Sequence, residues 1–517
     1  MRRRSDTGVW WASPHLAGFL ALVPTVVGIF LIIHELTLHD VIGGVTLQQG
    51  GVNFASSVAL SKGQLPYENF ALTQPPGMSI LLLPFAWAAH TNGSTALDAA
   101  RGLTAVVAVV DVFLVAYMAR FHGIASTIVA GVLFATFPNA FYATSSVMLE
   151  PYLLLLCLLA FQAAFVQGEL AAGGRLVLAG ALVGVAIAIK PWAIIPAIVL
   201  LACGAVRWRQ ALARLVGGLV IGIGVPCIFF LLASPSAFIR DVVQAELSTG
   251  SGHGAPTGLK GRLAEILGLG SPLGLSHPGD LAVGIGALLV VVIIATVASH
   301  VSTSTMLDWA LLATVVGLSA IAIVPQHLPE AYTYFLAGFA LVLIGNCVGS
   351  LLAVLASFPV GSGDLTSTTA GGMTIVCVAA MIAVVSVGVP KETSFWRSYF
   401  LANGTNPAKV IDAAVPNGAC VVSNNPEALI IADRFASLPP GCPFVVDPGG
   451  IGALAPTPAA SVASWESLLS QARYLVIAPG PPKILLSAAL QAYVGRRFSI
   501  LHDAQYQIYL SNSTSTP

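Results

Sequence analysis

Charge is what this chain has least of. Only 9% of its 517 residues are Asp, Glu, Lys or Arg, against 56% hydrophobic, where a soluble globular chain carries about 25% charged residues. That deficit excludes a surface bathed in water on all sides, so much of it must face lipid. Net charge is zero, which removes the electrostatic argument for a nucleic-acid partner. The seven cysteines lack metal-ligand spacing. Cys157, Cys203, Cys227, Cys347 and Cys377 sit in apolar runs and read as small core- or lipid-facing residues. Cys420 and Cys442 fall in the one long polar stretch and can pair as a disulfide if that stretch lies outside the cytoplasm. A phosphate-binding glycine loop is missing too, since Gly449-Gly450 reads as a turn. No cleavable signal is evident: Met1-Arg2-Arg3-Arg4 leads into a run long enough to span.

Long apolar runs are what the chain has in abundance. They lie near 15–33, 76–90, 99–119, 122–138, 148–167, 174–190, 191–206, 212–233, 281–300, 305–324, 331–356 and 372–390, and a span takes about 20 apolar residues. The run at 76–90 is the weakest, opening on Gln74-Pro75-Pro76-Gly77 and carrying Pro84. If it does not cross, and Arg2–Arg4 are cytoplasmic, then Arg120, Arg175, Arg207, Arg209 and Arg214 are all cytoplasmic as well, as positive-inside placement requires. The expectation is therefore an all-α polytopic membrane domain over 1–390 with about eleven spans. Residues 391–517 follow as an extracytoplasmic α/β domain. Its helix-like stretches (408–415, 426–434, 465–472, 484–493) alternate with strand-like runs (419–423, 444–447, 474–478, 498–502, and 507–510 as a last strand).

In this orientation one face collects the polar groups. His34, Glu35, His39 and Asp40 follow the first span; Lys62, Glu68 and the Gln74 turn share its loop; Arg101 begins the second span. Glu150 opens the fourth span, Lys190-Pro191-Trp192 joins the fifth and sixth, and Gln326, His327, Glu330 and Tyr334 join the ninth and tenth. Charges at bilayer depth are costly and point to function. Each also has a plainer reading. Lys190 and Arg101 can snorkel to the interface, and Glu150 can cap the helix begun at Pro151. Together they suit one chemistry: a carboxylate takes a proton from an acceptor hydroxyl while cations, with or without a divalent metal (Mg or Mn), stabilise a phosphate leaving group.

The order of these features carries a resemblance. A first span is followed by Asp40, a small-residue helix at 53–63, then Leu65-Pro66-Tyr67-Glu68-Asn69-Phe70 and Gln74-Pro75-Pro76-Gly77 before a short apolar helix. This resembles the GT-C superfamily of membrane glycosyltransferases, which includes protein O-mannosyltransferases and aminoarabinose transferases, and within it bacterial, particularly actinobacterial, members that use polyprenyl-phosphate sugars. The resemblance covers about 15–350 and is strongest over 34–200. It implies transfer of a sugar, mannose or a pentose, from a polyprenyl-phosphate donor to an extracytoplasmic glycan, lipid or protein acceptor. Asp40 then corresponds to the catalytic base and Glu150 to the second acid, the two being the candidate metal ligands. Arg101 and Lys190 become candidates for the donor phosphate, and Gln74, His327 and Glu330 for substrate contacts.

Two rival readings stand beside it. A transporter or lipid flippase would show internal repeats and polar groups at the midplane, and neither is evident. A non-catalytic envelope-assembly scaffold is favoured by Asp40-Val41, where many relatives have two adjacent acids. The orientation has a direct check: a topology reporter fused after Arg120 is expected to report the cytoplasm, and the opposite signal would turn the polar face inward.

Overall fold

The computed structural model describes residues 13–38, 41–46, 48–244, 258–269, 277–286, 305–323, 331–357, 390–391, 393–395, 398, 406–479, 487–502 and 504–512. Among these, five helices are long and apolar enough to cross a membrane: Pro14–Leu36, Gly93–His122, Arg209–Ala233, Met306–Ile323 and Tyr332–Leu351. Four shorter apolar helices, Ile124–Ala135, Glu150–Ala164, Gly174–Ile189 and Pro191–Arg207, complete the bundle. The chain is a multi-pass membrane protein. The run at 281–300 begins as helix at 278–286, and the rest of it, like the run at 372–390, lies outside the described residues.

The run at 76–90 folds as two short helices, Gly77–Leu81 and Leu83–Ala88, broken at Leu82 just before Pro84. End to end these reach roughly 18 Å at 1.5 Å per residue, well short of the ~30 Å hydrocarbon core. The next helix, Gly93–Met118, starts where Asn92 Oδ1 accepts from the Thr95 N–H at 2.8 Å, a side-chain cap that fixes its first turn.

Small residues set how closely the helices meet. Gly180 and Gly184 on Gly174–Ile189 face Gly218 and Gly222 on Arg209–Ala233, so that each helix carries a small-xxx-small pair. A Cβ on Gly218 would lie 2.1 Å from the Val177 carbonyl, and one on Gly222 2.2 Å from that of Ala181. Polar side chains add specific ties. Tyr334 Oη donates to Asp111 Oδ2 at 3.0 Å, and the His122 ring lies between Ser350 Oγ (3.0 Å) and Asp308 Oδ1 (2.9 Å).

The C-terminal residues form a four-stranded mixed sheet. Its strands, β3 (Val421–Ser423), β4 (Tyr474–Ile477), β5 (Phe498–His502) and β6 (Gln507–Ser511), lie in the order β3-β4-β6-β5. A two-residue pair, β1 (Phe165–Val166) with β2 (Glu169–Leu170), is a separate hairpin in the bundle. Strand β3 is parallel to β4, with Val422 opposite Leu475, and β6 is antiparallel to both β4 and β5. Helices Ala408–Ala414, Pro426–Ile431, Pro448–Ala453, Pro458–Gln471 and Ala488–Arg497 surround it. The strand expected at 444–447 is a correction: that stretch is unpaired extended chain leading into the Pro448–Ala453 helix. Asp447 caps that helix, its Oδ1 accepting from the Gly450 N–H at 2.7 Å, so the apolar Phe444-Val445-Val446 run ends in a cap instead of joining a ladder.

This segment shares a core with the bundle. Ile411, Leu429, Ile430 and Phe435 pack in one apolar cluster with Val52, Phe54, Ala55 and Leu97. The helix interface yields a contrast between neighbours: G218A is expected to lose about 1–3 kcal/mol through overpacking, whereas G217A, whose Cβ meets nothing within 4 Å, should be neutral or better. Thermal unfolding of the two purified variants reads the difference, and equal melting temperatures would remove the close-approach argument.

Candidate functional site

Proline places Lys190. Pro191 disfavours the helical conformation for the residue before it, and Lys190 is accordingly extended, with φ −153° and ψ 132°, at the end of the Gly174–Ile189 helix. Its Nζ donates to Glu150 Oε1 at 2.6 Å, and both side chains are 1% exposed. Tyr332, at the start of the Tyr332–Ser357 helix, lies under the ammonium with its ring centroid 3.1 Å from Nζ, and Trp192 packs edge-on against that ring at 4.9 Å. The snorkelling reading of Lys190 is thereby corrected, since the ammonium is buried against a carboxylate and an aromatic face. Glu150 is the first residue of its helix without making a side-chain cap bond. Its Oε2 is buried and has no hydrogen-bond partner among the described residues.

The Gln74-Pro75-Pro76-Gly77 turn seats against the same place. A Cβ on Gly77 would lie 2.5 Å from the Ala188 carbonyl, two residues before Lys190, so only glycine lets the turn approach. Gln74 is buried and its Oε1 is unpartnered among the described residues. Its carbonyl accepts from Tyr67 Oη at 2.7 Å. Tyr67 itself has φ +70°, an unusual conformation for a bulky side chain. The local ring of bonds that enforces it runs from Tyr67 N–H to the Phe70 carbonyl (2.9 Å) and from Leu65 N–H to Asn69 Oδ1 (2.7 Å). Beside this turn, burial pushes the Asp241 carboxyl above its usual range, against the pull of Arg240.

Arg101 occupies a second nest. It is 1% exposed, which again replaces snorkelling with burial. Its guanidinium donates to the carbonyls of Val41 (3.2 Å) and Gly44 (2.7 Å), to Asp98 Oδ1 (2.8 Å) and to Glu427 Oε1 (2.6 Å). Protein acceptors therefore fill both ends of its fork, leaving Nε as its unpartnered donor among the described residues. Arg101 and Lys190 share no residue in these contacts. They are linked through Thr46, whose Oγ1 lies 3.0 Å from both Glu427 Oε1 and Ser146 Oγ, four residues before Glu150. A second tie runs through Thr73, next to Gln74, whose Oγ1 donates to Asp447 Oδ2 at 2.7 Å. Cys420 and Cys442 form a disulfide, with Cα atoms 5.4 Å apart, and so join the two arms that carry Glu427 and Asp447.

Asp40, His327 and Glu330 lie outside the described residues. Among the described residues no three His, Cys, Asp or Glu side chains converge to hold a metal. Glu150, one of the two candidate ligands, already pairs with the Lys190 ammonium. Two contributors are absent from the sequence candidates. Glu427 sits in Asn425-Pro426-Glu427, which reads as an ordinary helix start. Tyr332 adjoins the Gln326–Glu330 loop, yet nothing in the sequence turns its ring toward Lys190.

Comparison with known proteins follows this geometry. Residues 72–325 match the profile of Glycosyltransferase family 87. The fold matches that of ArnT from Cupriavidus metallidurans bound to undecaprenyl phosphate, with TM-score 0.57 and 13% identity over 98% of this chain and 99% of that one. Just under half of the chain therefore resembles Glycosyltransferase family 87, and the whole shares its fold with ArnT. A further likeness in fold is to the Archaeoglobus fulgidus oligosaccharyltransferase tethered to an acceptor peptide (TM-score 0.55, 13% identity, 90% of this chain and 69% of that one). Another is to AglB of the same organism with an inhibitory peptide and a dolichol-phosphate (0.53, 12%, 98% and 75%). No curated protein matches this chain in sequence.

The buried pair gives a stability test. K190M leaves the Glu150 carboxylate buried alone, at a cost on the order of 3–5 kcal/mol. The K190M/E150Q double variant is expected to recover much of that loss. Melting temperatures of the four purified proteins close the cycle, and strict additivity would mean that the two groups do not interact.

Proposed function

We propose that this protein is an inverting glycosyltransferase that moves a sugar from a polyprenyl-phosphate donor to an extracytoplasmic cell-envelope acceptor, with its N-terminus cytoplasmic and residues 391–517 outside. The buried Lys190–Glu150 pair beside the Gln74 turn carries the reading. It combines a fixed cation with a carboxylate oxygen that lacks a donor among the described residues, at a bundle end built from several loops. The ArnT and AglB structures, which hold undecaprenyl phosphate and a dolichol-phosphate respectively, support a lipid-phosphate donor.

In the proposed step the acceptor hydroxyl oxygen attacks the anomeric carbon from the side opposite the phosphate. The new C–O bond forms as the bond from that carbon to the phosphate oxygen breaks, which inverts the centre. Asp40 takes the hydroxyl proton, and the departing polyprenyl phosphate gains one negative charge. Lys190, held by Glu150 and Tyr332, neutralises that charge in a site of low dielectric, where a placed cation is worth far more than in water. Glu150 Oε2 accepts from a sugar or acceptor hydroxyl and so orients it. Gln74, His327 and Glu330 contact substrate. The contacts of Arg101 suit a supporting role better than direct contact with the donor phosphate.

Transfer from a radiolabelled polyprenyl-phosphate sugar in membranes tests this reading. D40N is expected to lower turnover by about 10²–10⁴-fold, the range for loss of a general base. K190M should fall by on the order of 10²-fold. Near-normal turnover by D40N at normal protein level would remove Asp40 as the base. Lipid-linked sugar crossing liposomes without transfer would favour a flippase instead.

A further inference from the structure

Glu427 lies in the C-terminal segment, far in sequence from every candidate catalytic residue, yet it is fully buried beneath the first loop. Its two oxygens receive three donors: Arg101 Nη2 at 2.6 Å and Thr46 Oγ1 at 3.0 Å on Oε1, and the Thr46 backbone N–H at 3.0 Å on Oε2. Through Arg101 the same carboxylate fixes the guanidinium that holds the Val41 and Gly44 carbonyls. Asp98, also bound to Arg101, accepts from the Gly43 N–H at 3.1 Å. The backbone of 41–46 is thus held at four of its six residues by one ion-pair network. Gly51 lies against the Glu427 side chain, where a Cβ would come within 2.6 Å of Glu427 Cβ. The loop, the helix after it and the second span therefore all meet at this carboxylate.

We infer that Glu427 is a positioning residue, through which the C-terminal segment sets the geometry of the 41–46 loop and so of the candidate base that precedes it. The inference rests on the proposed transfer reaction and deepens it: the Arg101 charge serves the loop, and the C-terminal segment is part of the catalytic apparatus instead of an appendage. Loss of the tie should leave donor binding intact while misplacing the reacting groups, and small misplacements cost rate steeply.

The test uses the full chain in nanodiscs and two variants. E427Q keeps the volume but offers one acceptor oxygen, its amide N–H₂ facing a donor; E427D keeps the charge on a shorter arm. Hydrogen exchange is followed at the 41–46 amides and, as a fold control, at β3, β4 and β6, alongside steady-state kinetics. For E427Q the expected result is exchange at 41–46 faster by about tenfold or more. Its kcat should fall on the order of 10–10²-fold, with donor KM within about twofold, and sheet exchange should be unchanged. E427D should recover part of both effects. Normal kcat despite faster loop exchange would overturn the inference, as would lost kcat with loop exchange unchanged. So would faster sheet exchange in both variants, which would make Glu427 a fold residue of its own segment. Should the wild-type protein transfer no sugar, the proposed reaction fails; unchanged loop exchange in E427Q would then show separately that the tie is absent.

Discussion

A charge taken out of water has to be answered by an opposite charge or a full set of hydrogen bonds. At one end of this bundle the chain meets that demand twice, with Lys190 against Glu150 and Arg101 against Glu427. Each pair joins segments distant in sequence, and removing either partner would leave the other charge buried without its counter-ion. The architecture at that end follows. Two helix ends meet at Lys190 and Glu150, and the first loop folds over Arg101. The C-terminal segment lies against the loop, where Glu427 finds Arg101 and Thr46 as donors.

The remaining elements make that arrangement possible. Glycine pairs bring Gly174–Ile189 within backbone contact of Arg209–Ala233, which fixes the helix whose last turn presents Lys190. Gly77 lets the proline turn lie on that helix end, and the Cys420–Cys442 disulfide joins the arm bearing Glu427 to the arm bearing Asp447. The two nests are physically continuous through Thr46 and Ser146. A disturbance in the C-terminal segment therefore has a bonded route to the loops around Glu150.

The apolar runs announced their helices because hydropathy over about 20 residues is a local property. The brevity of the 76–90 segment was equally legible, since Pro75, Pro76 and Pro84 limit any helix there. Other features were not. The 444–447 stretch has strand-like residues, yet Asp447 spends its carboxylate on a helix cap, and composition cannot choose between a ladder and a cap. The tie between Asp111 and Tyr334, more than two hundred residues apart, left no sign in either stretch of sequence. Glu427 looked like an unremarkable first-turn acid, because its meaning comes wholly from Arg101 and Thr46.

By itself the sequence determined that this protein lives in a membrane and where most of its helices lie. Those follow from composition and short-range periodicity, which need no knowledge of neighbours. Only the tertiary structure decided which cation answers which carboxylate. It paired Lys190 with Glu150 and turned Arg101 toward the C-terminal segment, with Glu150 Oε2 and Gln74 Oε1 among the buried acceptors that lack a donor among the described residues. The physical reason is that an ion pair is fixed by distance in space, and packing alone sets that distance between residues 40 or 326 positions apart.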